Sequence, residues 1–168
     1  KLLERTLGQL IQLFRPIPAI AFVPLAIVWF GLGESSKYFL ITWGVFFPMW
    51  MNTYLGVSNV DTTLIWAAKS LEATDRKILY EVVLPYAVPF IIAGARVGIA
   101  IAFICLVAAE MAGAFGGIGY RISASHLVFR VDKMMVGLAM LAILGASADA
   151  LFSKLAARII PWYEVRNR

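Results

Sequence analysis

Apolar residues gather into four long runs separated by shorter polar stretches. The runs extend roughly from Pro16 to Leu32, Tyr38 to Val57, Pro85 to Met111 and Met134 to Phe152. A helix that crosses hydrocarbon needs about 20 mainly apolar residues, and each run meets or approaches that length. The pattern predicts an all-α polytopic transmembrane helix bundle with about four spans, forming one domain over residues 1–168. The first run carries Pro16, Pro18 and Pro24. A membrane helix tolerates these as kinks at a packed interface, where neighbours satisfy the freed carbonyls. A gating bend is the alternative.

Composition points the same way. The chain is 61% hydrophobic and only 15% charged, against about 45–50% and about 25% for a soluble domain. A globule of this size needs more polar surface than that. The net charge of +5 does not indicate nucleic acid, because the cations fall between the apolar runs instead of along one face. The single cysteine, Cys105, lies inside a run and reads as a small buried residue.

The cations also set an orientation. Lys1, Arg5, Arg15, Lys69, Arg76, Lys77, Lys154, Arg158, Arg166 and Arg168 share one side of a four-span chain. Lys37, Arg121, Arg130 and Lys133 share the other. Ten against four puts the first set, the Val60–Leu84 connection and the C-terminus in the cytoplasm. The chain begins at Lys1 within an amphipathic stretch, so further N-terminal spans are expected to precede it.

The connection over residues 60–84 is long, charged and helix-prone, unlike a plain inter-span loop. Trp66, Ile78, Leu79 and Val82 would expose apolar surface there unless something covers them. That pattern suits either a partner surface or a helix lying on headgroups.

Within the spans, Arg96, Glu110 and Asp149 are the ionisable residues, and such groups face a bundle interior or a water path. Arg96 lies about 16 Å along a helix from Pro85, near mid-membrane. It can form a helix-to-helix ion pair with Asp149 or line a path for an anion. Glu110 reads as an outer gate or as a cap for the glycine-rich turn Gly113–Gly119. That turn lacks the lysine of a nucleotide-binding loop. Gly94 and Gly98, four apart, allow close helix approach within the bundle or against a second subunit. His126 has no carboxylate neighbours in sequence and makes no case for a metal.

The connection also carries a recognisable pattern. Permease subunits of binding-protein-dependent ABC importers bear Glu-Ala-Ala, three residues, Gly, nine residues, Ile, one residue, Leu-Pro. This chain has Trp66-Ala67-Ala68, then Glu72, then Val82, Leu84 and Pro85 at that spacing. Trp66 and Glu72 stand where the pattern has Glu and Gly. Arg15-Pro16-Ile17-Pro18, Trp29-Phe30-Gly31-Leu32-Gly33-Glu34, Ala108-Ala109-Glu110-Met111, Gly116-Gly117-Ile118-Gly119-Tyr120, Leu144-Gly145, Asp149 and Trp162 resemble the nitrate, sulfonate, taurine and bicarbonate permease group.

The resemblance implies a type I importer permease with a coupling helix in residues 60–84, where Ala67, Ala68, Leu71, Glu72, Val82, Leu84 and Pro85 serve the contact with ATP-binding cassette subunits. It implies a second permease copy, expected to be identical, an extracytoplasmic substrate-binding protein, surrounding lipid, and a place in a bacterial inner membrane. No catalytic or metal site and no cofactor are expected in this chain. ATP and Mg belong on the partner ATPase. The expected cargo is a small anion such as an aliphatic sulfonate, taurine, nitrate or bicarbonate. Two other readings stand beside this one: an ion-coupled carrier using Arg96, Glu110 and Asp149 as a relay, and a membrane assembly protein without transport.

Overall fold

The structure, a computed structural model, describes residue 8 and residues 11–159. Lys1, Arg5, Trp162, Arg166 and Arg168 lie outside the described residues. All regular structure among the described residues is helical.

The first apolar run is not a spanning helix. A 3-10 turn, Ala19–Phe22, leads into α1, Val23–Phe30. Together they cover 12 residues, about 18 Å of helix against a hydrocarbon core of about 30 Å. The prolines explain the shortfall. Pro18 is extended and precedes the 3-10 turn, and Pro24 sits in the first turn of α1, where its missing N–H costs nothing. They start helices here and do not kink a longer one.

Helix α2, Glu34–Ser58, has 25 residues with Pro48 inside. It is long enough to cross, at about 37 Å, but Asn52, Thr53 and its two tryptophans dilute its apolar character. Only two helices among the described residues are both long and apolar enough to span, Asp75–Gly113 and Val131–Arg158. The expectation of four spans is corrected to two on this measure.

Helix α3, Thr62–Ser70, and the short α4, Asp75–Ile78, follow. A π turn, Leu79–Val83, then joins α4 to α5, Leu84–Gly113. The span expected to start at Pro85 thus begins ten residues earlier, at Asp75. A proline inside an α-helix clashes with the carbonyl four residues back. Here the ladder widens just ahead of Pro85, with the Leu84 N–H donating to the Leu79 carbonyl, so the helix continues past Pro85. Helix α6, Ile118–Leu127, precedes α7, Val131–Ile159.

The chain forms two compact units. In the unit of residues 1–47 and 101–144, Val23, Ala26, Leu40, Cys105 and Ala109 make the buried core. Phe22, Phe39 and Trp43 pack ring to ring beside it. In the unit of residues 48–100 and 145–168, α2 and α5 meet at Gly94. A Cβ there would lie 2.8 Å from the Asn52 Cβ and 3.3 Å from the Pro48 carbonyl oxygen. Gly94 and Gly98 are both buried.

None of the most apolar stretch of α7 is buried, and only 17% of that of α5. The core helix of a soluble protein would be mostly covered. Surfaces this apolar need lipid or further protein against them.

Candidate functional site

The 60–84 connection divides at Glu72. Asp61 caps the start of α3, its carboxylate accepting from the Thr63 N–H at 2.8 Å and from the Thr63 hydroxyl. These bonds hold the Asp61 carboxyl below the usual carboxylate range, because they favour the ionised form.

The far end of α3 closes in a Schellman motif. The Ala73 N–H donates to the Ala68 carbonyl at 3.1 Å, and the Glu72 N–H donates to the Lys69 carbonyl at 3.0 Å. Such a closure puts the residue after the cap in the left-handed region, usually as glycine. Glu72 occupies that position with φ 55°. Glu72 therefore adopts an angle that favours glycine, at the position where the importer pattern has glycine, with a side chain present. Thr74 then caps α4 by accepting from the Lys77 N–H at 3.4 Å.

Between the two caps α3 buries no residue. Leu64, Ala67, Ala68 and Leu71 recur at three- and four-residue spacing and so share one face. Leu64 is 47% and Leu71 83% exposed. The face has two small residues at its centre and a leucine at each end, a shape suited to a groove on another protein.

The remaining signature positions lie beyond the turn. Val82, Leu84 and Pro85 are half-buried on the π turn and the start of α5. Trp66 and Leu79 are exposed, whereas Ile78 is buried, so the chain itself covers one of the four apolar residues expected to be bare.

Arg96 and Asp149 come together. The guanidinium donates side-on, Nε to Oδ1 and Nη2 to Oδ2, both at 2.7 Å. This is the bidentate geometry of a strong charge-assisted pair, linking α5 to α7. The side chains remain 59% and 39% exposed within this chain.

Glu110 has a different partner. Its Oε2 accepts from the Gly119 N–H at 2.8 Å, anchoring the start of α6. Gly117 has φ 117°, and a Cβ there would fall 2.3 Å from the Glu110 carboxyl group. The glycines clear space for that carboxylate. The three ionisable candidates thus separate into an ion pair and a helix anchor.

Two contributors, Leu64 and Asp61, carry no expectation from the sequence. Leu64 completes the α3 face, and its signal is its three- and four-residue spacing to Ala67 and Ala68. Asp61 is the N-cap, signalled by Asp-Thr-Thr before an apolar residue. Asn52 packs on Gly94, and nothing local in the sequence indicates that contact.

The comparisons with known proteins agree with this architecture. The family described as "Binding-protein-dependent transport system inner membrane component" matches residues 1–161. The chain is 36% identical over 157 residues to the taurine transport system permease protein TauC of Escherichia coli, covering 94% of this chain and 57% of that protein. It is 45% identical over 141 residues to a protein of Methanocaldococcus jannaschii named as an ABC transporter permease, covering 83% and 53%. It is 35% identical over 159 residues to SsuC of Bacillus subtilis, named for aliphatic sulfonates transport, covering 95% and 58%. The chain spans a little over half the length of each of these relatives. With the family matched over nearly the whole chain, this protein belongs to the inner membrane components of binding-protein-dependent transport systems.

Proposed function

We propose that this chain is part of the membrane-spanning permease of an ATP-driven importer, and that α3 is its coupling helix. The observation that carries the reading is the exposed face of Leu64, Ala67, Ala68 and Leu71, held between an Asp61 cap and the Glu72 turn. Family membership supports a separate ATPase as the protein that receives this face. The charge asymmetry of the sequence supports a cytoplasmic α3 and a cytoplasmic C-terminus. ATP is hydrolysed on that partner with Mg, a second permease copy completes the pathway, and a substrate-binding protein delivers cargo from outside. The cargo is a small sulfonate-type anion, in line with the relatives named for taurine and aliphatic sulfonates. On this reading Arg96 faces the route of the anion, with Asp149 holding its guanidinium in place.

Co-purification tests the central claim. Leu71→Asp and Ala68→Arg place charge on the docking face without touching a buried side chain of α3. Both variants are expected to insert in the membrane as the wild type does, to lose the ATPase subunits, and to lose ATP-driven uptake. An ATPase that stays bound to both variants, with uptake intact, would overturn the assignment of α3.

A further inference from the structure

A cleft of about 880 Å³ lies against α6 and α7 in the unit of residues 1–47 and 101–144. That volume is in the range of small-molecule sites, about 300–1,000 Å³. The two helices meet at Gly137, where a Cβ would fall 2.6 Å from the Ile122 Cγ1. Tyr120, Arg121, Ser125, Asp132 and Lys133 supply the polar part of the lining. Val128, Val136 and Met140 supply an apolar wall.

The charge of the lining is positive. Asp132 is already matched, because the Arg130 guanidinium donates to both its oxygens, Nε at 3.0 Å and Nη2 at 2.7 Å. Arg121 and Lys133 make no ion pair among the described residues. Two uncompensated cations beside an apolar wall complement a ligand with an oxyanion head and a short hydrocarbon body.

We propose that this cleft binds a small soluble organic anion, its head on Arg121 and Lys133 and its body along Val128, Val136 and Met140. The inference rests on the importer reading and adds to it a solute site separate from the Arg96–Asp149 pair. An anionic phospholipid offers the same head chemistry, so the test separates the two sources.

The full-length permease with its ATPase subunits, without the binding protein, is placed in nanodiscs of phosphatidylcholine and titrated with butanesulfonate. Saturable binding is expected, weakening as salt rises. Arg121→Gln and Lys133→Gln are each expected to weaken it about tenfold, the loss of one charge-assisted hydrogen bond. The charge-preserving pair Arg121→Lys and Lys133→Arg is expected to keep binding within about threefold, with ATPase co-elution as the check on folding. Equal binding by wild type and both glutamine variants, or no binding by wild type, overturns the proposal. Loss of butanesulfonate binding in phosphatidylglycerol nanodiscs assigns the cleft to lipid and also overturns it. Each of these failures leaves the docking test on α3 untouched, since that test reads ATPase retention and not ligand binding.

Discussion

Replacing Glu72 with glycine is expected to tighten the turn that ends α3. The perturbation acts on the backbone alone, since Glu72 is exposed and its φ of 55° is left-handed. An L-residue in that region costs about 1–2 kcal/mol relative to glycine. Glycine gives back roughly 0.4–1 kcal/mol through a more flexible unfolded chain. The net gain is about 0.5–1 kcal/mol, or about a two- to fivefold smaller population of the locally opened turn. The assay is amide hydrogen exchange in the full-length permease, read at Glu72 and Ala73, whose N–H groups close the motif onto Lys69 and Ala68. Both amides are expected to exchange two- to fivefold more slowly in Glu72→Gly. Glu72→Ala keeps the Cβ, which is the source of the backbone strain, and removes the rest of the side chain with its charge, so it is expected to match wild type. Glu72→Asn should fall between, because asparagine tolerates this region better than most residues. Protection by alanine equal to that by glycine would refute the backbone argument and place the effect in the side chain beyond Cβ.

The Asp61 cap and the Arg96–Asp149 pair each carry a prediction of their own. Asp61 is held below the ordinary carboxylate range in the folded chain, so its cap stabilises α3 above about pH 3.9 and is lost as pH falls through the lower folded value; the carbon-13 shift of its carboxyl group should titrate below about 3.9, a midpoint at or above that value would refute the cap, and Asp61→Asn should abolish the transition. Arg96→Ala is expected to leave Asp149 uncompensated and to lower the yield of folded complex, whereas Arg96→Met with Asp149→Leu should recover the yield by removing both charges. Uptake should remain lost in that double variant, and unchanged uptake in a folded complex would end the anion-path reading.

The parts of this fold that were legible in the sequence are those set by local composition. The long apolar runs around α5 and α7 could be read directly, because a helix facing lipid needs nothing from distant residues to be recognised. The proline-rich first run misled for a physical reason. Proline is compatible with both a kinked membrane helix and the first turn of a short one, and only the surrounding chain decides between them. The same ambiguity hid the true start of the span that contains α5, which begins at Asp75 because the π turn carries the helix through Pro85. Contacts between distant segments were legible only as candidates. Arg96 and Asp149 could be paired because isolated charges in apolar runs are few, whereas Glu110 could be read either as a gate or as a cap until its carboxylate was placed on the Gly119 N–H.

Glu72 shows how a departure from a pattern can mislead. Judged by residue type, glutamate at a glycine position suggests a changed turn. Judged by hydrogen bonding, the turn is retained, because two bonds from consecutive amides close the helix end and outweigh a cost of about 1–2 kcal/mol at one residue. The angle is therefore fixed by the need to satisfy the last carbonyls of α3 and to turn the chain toward α4. Glycine is the least strained way to meet that need, and the exposed Glu72 meets it at some cost. The proposed docking face is set by the three- and four-residue spacing along α3 and needs only that the helix end in this turn, so a chain with Glu72 still presents Leu64, Ala67, Ala68 and Leu71 together.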